Sequence, residues 1–215
     1  LGLYEHQSAG ALQSLVDLLA AHPTLAADLA PIRWIRVKIY EPAHSIIADP
    51  AKRTPTTRQS ADHSLPFILA RTLLKARAAA ASGAAPGWEA LMLLPDDYAD
   101  AAIADPEVRS LIERMVIEHG GPEYDRLYPD GIPTSVTIED ARLGRVGGDL
   151  VRHPLGHARS DPARTAEVVA LKFDRLVAGA VDDPRRLRER IRLVGRSPAE
   201  VAELYAFPIH GLGDR

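Results

Sequence analysis

Three times in its closing stretch the chain writes the same start signal, a residue able to cap a helix followed at once by proline. Asp161-Pro162, Asp183-Pro184 and Ser197-Pro198 each carry it, and Ser197 with Glu200 completes the reciprocal Ser-x-x-Glu form. Proline has no N–H to give, so it suits the first helical turn and is excluded from helix interiors. After His157 the chain is therefore written as helices. The first run carries Val168, Leu171, Phe173 and Leu176. The second is strongly basic, and its Arg185, Arg186, Arg188, Arg190 and Arg192 form a face that is solvated or meets another subunit. Residues 158–215, roughly 58 in number, are too few to rely on a core of their own, so their apolar faces are expected to pack on something outside this chain.

Upstream the texture is mixed. Leu12, Leu15, Val16 and Leu19 recur at the spacing of one helix face between Ser8 and Ala21, and Pro23 lies just past the expected end. Ile32 to Tyr40, with Ile35, Val37 and Ile39, alternates as a strand. Asp49 to Ser60 holds two prolines and three cations and is expected as a surface loop. Ser64 is placed as the N-cap of a helix through Phe67, Leu69 and Leu74. Ala76 to Gly87 reads as a low-complexity insertion or an extended helix end. Asp105-Pro106-Glu107 opens another helix. Val136–Ile138 and Leu150–Arg152 are expected to pair around a glycine turn at Gly144–Gly148. The reading is a mixed α/β unit to residue 157 with helices after it, and no internal repeat.

Composition narrows the function. A net charge of −3 leaves no basic field for a phosphate backbone, so nucleic acid is not an expected partner. No run approaches the ~18 apolar residues that span a bilayer. The N-terminus lacks the pattern of a secretory signal. With no cysteine there is no disulfide, thiolate nucleophile or cysteine-held iron–sulfur cluster in this chain, which fits a reducing cytoplasm. Leu1 is not an initiator methionine and a helical pattern follows almost at once, which reads as a chain starting partway through a larger protein or as a processed subunit.

Three stretches carry chemistry. In Thr57–Phe67, His63 would lie against the positive end of the helix begun at Ser64, a field that disfavours imidazolium and leaves a ring able to accept a proton. Asp62 either orients that ring or works against it, and Arg58 suits a carboxylate held bidentately. The plainer reading makes Asp62 and Ser64 caps and His63 a surface imidazole. Tyr4-Glu5-His6-Gln7-Ser8 gathers general acid–base types within one turn, or is a polar helix start. In His153-Pro154-Leu155-Gly156-His157-Ala158-Arg159, His157 and Arg159 suit a polycarboxylate, or sit in a solvated connector. His153 and His157 are broken from a helix face by Pro154 and Gly156, so no metal is expected, and no phosphate-binding glycine motif supports a nucleotide.

In this order the stretches resemble the MmgE/PrpD family, best known for 2-methylcitrate dehydratases. Tyr4-Glu5-His6-Gln7-Ser8-Ala9 is similar to the family's aromatic-His-x-Gln-Ser/Thr-Ala segment. Asp49-Pro50-Ala51-Lys52, Ala61-Asp62-His63-Ser64-Leu65-Pro66-Phe67, Asp105-Pro106-Glu107-Val108, Tyr128-Pro129, Pro154-Leu155-Gly156-His157-Ala158-Arg159 and Lys172-Phe173 follow. The Gly-His-Ala-Arg form looks more like the methylcitrate dehydratases than the cis-aconitate decarboxylases. Ser160-Asp161 after it, and the length of Ala76–Gly87, depart from the family pattern.

The resemblance implies an α+β fold: a small α/β lid domain with antiparallel strands at 1–157, then 158–215 as C-terminal helices of an all-helical domain mostly absent from this chain. It implies a cofactor-free cytoplasmic lyase of propionate catabolism, usually dimeric, acting on 2-methylcitrate or a similar tricarboxylate. The helical part would be supplied by the same enzyme or by another subunit. His63, Asp62 and His6 would be the catalytic groups, and Tyr4, Gln7, Arg58, His157 and Arg159 would bind substrate. Decarboxylation, epimerisation of a dicarboxylate and a non-catalytic partner or binding subunit are the alternatives.

Overall fold

The computed structural model describes residues 2–204 and 206–210; Leu1 lies outside them. The chain divides into two compact units, Leu1–Pro162 and Ala163–Arg215. The first opens with a single 3₁₀ turn at His6–Ser8, then α1 (Ala9–Ala21) and α2 (Pro23–Ala27). Strand β1 (Ile32–Ile39) leads to α3 (Glu41–Ile47), a 3₁₀ turn at Pro50–Arg53, α4 (Arg58–Ala61) and α5 (Leu65–Ala81). Next come α6 (Trp88–Leu91), a 3₁₀ turn at Pro95–Tyr98, α7 (Asp100–Ile103) and α8 (Pro106–Glu113). The unit continues through β2 (Met115–His119), α9 (Pro122–Asp125), β3 (Thr134–Asp140) and β4 (Gly144–Gly147).

The strands form one mixed sheet in the order β2-β1-β3-β4. β1 runs antiparallel to β3, with Val37 opposite Val136, and β3 runs antiparallel to β4. β1 and β2 are parallel, with Ile35 opposite Met115 and Ile39 opposite His119, so the antiparallel sheet expected from sequence carries one parallel edge. A parallel neighbour demands a long crossover, here every element from α3 to α8. Alternation in β1 buries Ile35, Val37 and Ile39, and a register shift between Ile32 and Trp34 lets Ile32 be buried as well. α1 packs across β3 and β4, and its Ser14 hydroxyl accepts the Val136 N–H at 3.0 Å. α5 packs against α1, α2 and α8 and is buried nearly all round, the mark of a central helix. Each of its fully buried Leu65, Phe67 and Ile68 contributes about 1.5–3 kcal/mol over an exposed side chain.

The caps read from sequence are in place. Ser64 Oγ accepts the Phe67 N–H, Asp105 accepts from Glu107, and Asp183 from Arg186. Ala76–Ala81 is the extended end of α5. The polar Asp49–Ser60 stretch is largely exposed, as expected of a surface loop, but is wound into the Pro50–Arg53 turn and the first residues of α4. The expected glycine turn at 144–148 is corrected: Gly144–Gly147 form the strand β4, with Gly148 just past its end, and the turn is Ala141–Leu143, fastened where Asp140 Oδ1 accepts the N–H groups of Arg142 and Leu143. Gly147 serves packing. At its φ of +78°, an added Cβ would stand 2.6 Å from the Val136 carbonyl oxygen and collide with Leu18 of α1. Of the expected Leu150–Arg152 strand, Val151 makes a single bridge to Thr134.

The second unit begins within α10 (Pro162–Val177) and holds α11 (Pro184–Arg190) and α12 (Pro198–Ala202), the last opened by a reciprocal Ser197–Glu200 box. The basic helix is not wholly solvated. Arg188 pairs bidentately with Asp174 at 2.9 and 3.1 Å, and Arg190 donates to the carbonyls of Glu203 and Ala206. Leu193, Val194 and Ile209 stand exposed. No helix among the described residues is long and apolar enough to cross a membrane.

Candidate active site

The corner before α5 is built by local capping. The Ser64 hydroxyl donates to the Lys52 carbonyl at 2.5 Å while capping the helix, which leaves His63 just outside the helix start and Asp62 behind it. The Asp62 carbonyl then accepts the Glu5 N–H at 2.9 Å and draws the Tyr4–Ser8 segment alongside. The same segment is held on its other side: the Leu3 N–H donates to Leu93 at 3.0 Å, and the Tyr98 hydroxyl donates to the Leu3 carbonyl. Two stretches far apart in sequence thus become one cluster. His63 Nδ1 meets Asp62 Oδ1 at 2.5 Å, so Asp62 orients the ring, and the imidazole keeps about half its surface open (54% exposed).

Glu5 stands at the centre of this cluster. Its Oε1 accepts the Gln7 N–H as cap of the 3₁₀ turn, and its Oε2 is buried, with the Ser8 hydroxyl at hand. Burial pushes the Glu5 carboxyl above its ordinary range, against the opposing pull of the Gln7 N–H, then His6, His63 and Ser8. Burial likewise raises the Tyr4 phenol. Tyr98 is raised by burial first and by Asp62 next, with Arg58 opposing. Arg58 is exposed on the first turn of α4, and no carboxylate among the described residues pairs with it. His6 is exposed on the 3₁₀ turn.

Beyond Glu5 lies Tyr40, at the end of β1. Its position is fixed by the next residue, whose N–H donates to Asp125 Oδ1 at 2.9 Å, while Asp125 also pairs with His119 of β2. The Tyr40 ring is fully buried and stacked on Tyr128 at 4.5 Å, and its hydroxyl has no hydrogen-bond partner. Burial raises this phenol, and so do the neighbouring Tyr128 and Glu5.

His157 and Arg159 form a second cluster. Pro154–Ser160 folds into tight turns, and the Leu155 N–H donates to Gln13 of α1 at 3.2 Å. Arg159 grips Asp130 with both terminal nitrogens at 3.1 Å, and Arg152 stands 3.7 Å from the same carboxylate. His157 lies 4.8 Å from the His153 ring. Burial, then His153 and Arg159, lower its pKa, which favours a neutral ring. Its Nδ1 accepts the Arg159 N–H at 3.1 Å, so in that ring Nε2 carries the proton. In the turn Tyr128–Asp130, Tyr128 stacks on Tyr40 and Asp130 holds Arg159.

Of the residues expected from sequence, Tyr4, His6, Gln7, Asp62 and His63 come together around Glu5, with Arg58 beside Tyr98. His157 and Arg159 gather around Asp130. Glu5, Tyr40, Tyr98 and Asp130 were not among the expected site residues. One signal for Glu5 was present: in the aromatic-His-x-Gln-Ser/Thr-Ala pattern, alignment on Tyr4 and Gln7 puts Glu5 at the histidine position and His6 at the open one. Among the described residues no group of three or more His, Asp or Glu side chains is placed to hold a metal ion.

No curated protein matches the chain. The model of the MmgE/PrpD C-terminal domain matches residues 6–194, a span that takes in His6, the Asp62-His63 corner and the His157–Arg159 turn. That family is of dehydratase or lyase type. With a match over most of its length, the chain belongs to the MmgE/PrpD family and carries that family's C-terminal portion.

Proposed function

We propose that the chain is the lid-type part of a cofactor-free hydro-lyase that dehydrates 2-methylcitrate or a similar tricarboxylic acid. It would work with a helical portion of the same enzyme or with a separate subunit, in an oligomer. The observation that carries this reading is the His63–Asp62 pair, an imidazole held by a carboxylate at 2.5 Å, standing against a second acid–base segment at Tyr4–Gln7. Dehydration needs a base for a carbon-bound proton, an acid for the departing hydroxyl, and donors for the carboxylates. His63 suits the base, oriented by Asp62, with His6 at the border. The guanidinium of Arg58, which no carboxylate among the described residues pairs with, suits one carboxylate. His157, with a proton-bearing Nε2, and Arg159, already aligned by Asp130, suit another. The exposed Leu193, Val194 and Ile209 support a further surface for the last helices to meet.

The test is turnover by the complete enzyme on a panel of tricarboxylates, with water loss followed by the absorbance of the unsaturated product. His63→Ala should lower kcat by roughly 10²–10⁴-fold. Activity within a few-fold of wild type would remove His63 from the chemistry. Carbon dioxide in place of water would assign the chain to decarboxylation.

A further inference from the structure

We propose that Asp130 stands in for a substrate carboxylate on Arg159, and that an incoming tricarboxylate displaces it toward Arg152. The inference rests on the tricarboxylate reading above and adds Asp130 and Arg152 to the groups that govern binding at the second cluster. Main-chain bonds bring the three side chains together. The Ile132 N–H donates to the Arg152 carbonyl at 2.8 Å, and Thr134 and Val151 exchange both of their hydrogen bonds at 2.9 Å. The segment after Asp130 therefore runs beside Arg152. Gly131 leaves room for that approach, since an added Cβ would stand 2.7 Å from Cγ of Arg152. The His157 N–H donates to the Pro154 carbonyl at 2.9 Å, and this turn returns the chain so that Arg159 reaches the Asp130 carboxylate.

Arg159 spends its end-on fork on Asp130: Nη1 donates to Oδ2 and Nη2 to Oδ1, both at 3.1 Å. This is the geometry in which a guanidinium grips a carboxylate ligand. A substrate carboxylate that comes to Arg159 finds the place filled and a like charge beside it. Arg152 is the second cation within reach. Its Nη2 lies 3.7 Å from Asp130 Oδ2, outside hydrogen-bond range, and its Nε is buried with no acceptor. Among the described residues neither arginine pairs with any other carboxylate, so two guanidinium groups share one. The cluster thus has positive charge left for a second carboxylate.

The exchange costs little. The Arg159 and Asp130 side chains are 53% and 61% exposed, and an ion pair so open to water is weak. A rotation of Asp130 onto Arg152 keeps its charge paired while the fork of Arg159 passes to the ligand. The Arg159 backbone need not follow, because its N–H stays on His157 Nδ1 at 3.1 Å.

The experiment is calorimetric binding of 2-methylcitrate and of citrate to the complete enzyme, with turnover measured beside it. Asp130→Asn keeps the shape of the side chain and gives up its claim on Arg159, so Kd should fall about two- to fivefold, as release of an exposed ion pair allows. In an Arg159→Gln background the same change should leave Kd where it was. Arg152→Gln should raise Kd while Asp130 is present and leave it unchanged beside Asp130→Asn. A Kd that rises or stays the same in Asp130→Asn overturns the proposal and makes Asp130 a plain support of Arg159. A fall that persists in the Arg159→Gln background overturns it as well, since relief of general repulsion would then be the cause. An equal rise from Arg152→Gln in both backgrounds overturns the part given to Arg152. A wild-type enzyme that binds neither acid overturns the exchange. One that binds them and releases no water overturns the dehydratase reading and leaves the exchange standing.

Discussion

Removing the carboxylate of Asp97 should loosen the support on which the Tyr4–Ser8 segment rests. Asp97 is buried, 4% exposed, and its oxygens accept Lys75 Nζ at 2.6 Å, the Leu94 N–H at 2.8 Å and Arg71 Nη2 at 3.2 Å. It thereby ties α5 to the 3₁₀ turn that carries Tyr98, whose hydroxyl bears on Leu3. Breaking a fully buried pair by truncation costs about 3–5 kcal/mol, because the remaining charge is left uncompensated. The full figure does not apply here. Arg71 and Lys75 keep 21% and 22% of their side chains exposed, and Arg71 retains Asp105 at 3.9 Å. Solvent and the second carboxylate recover part of the loss, which leaves about 2–4 kcal/mol for Asp97→Ala. Both tryptophans, Trp34 and Trp88, lie in the first unit, so their fluorescence in a urea titration reports the unfolding of that unit. With a slope of about 2 kcal/mol per molar, the midpoint should fall by roughly 1–2 M. Asp97→Asn keeps an acceptor for Leu94 but gives up the charge, so its fall should be about half as large. A shift below about 0.3 M for Asp97→Ala would refute the argument that this carboxylate carries the junction.

Two further outcomes follow from the same structure. Gly10→Ala would place a Cβ 2.5 Å from the Ile132 carbonyl oxygen and 2.6 Å from Thr134 Oγ1. Pushing α1 off β3 should cost about 1–3 kcal/mol, a fall in Tm of roughly 2–10 °C, and an unchanged Tm would show that α1 does not approach so closely. Asp140 is held below the ordinary carboxylate range, first by the side chain of Arg142 and then by the N–H groups of Arg142 and Leu143. Its stabilisation is therefore present above the unfolded value of about 4 and lost as the pH falls through the lower folded value. Asp140→Asn should be less stable than wild type near neutral pH and decline less steeply below about pH 4; stability curves parallel to wild type would refute this.

Much of the local structure was legible in the sequence because its causes are local. Ser64, Asp105, Asp183 and Ser197 cap helices through hydrogen bonds to residues two or three positions ahead, and such bonds depend on little beyond their own segment. The alternation of β1 and the apolar face of α1 were likewise written in their spacing. Strand β2 was not, since a short run such as Met115–His119 becomes a parallel edge only when a crossover returns it to β1. The glycines of β4 looked like a turn because sequence does not show that Leu18, far away in the chain, comes to rest on Gly147.

The same division runs through the candidate site. The chemical types at Tyr4–Gln7, Arg58–His63 and His157–Arg159, and the family they resemble, were readable from the residues alone. Which of those residues turn inward was decided by tertiary structure. A backbone bond from Glu5 to Asp62 joins two of the stretches, Tyr40 stacks on Tyr128, and Asp130 takes hold of Arg159. Side-chain identity sets what a group can do in water, and the identity of each residue is local. Burial shifts the Glu5 carboxyl above its ordinary range, and burial is a property of surfaces that exist only once distant segments have packed.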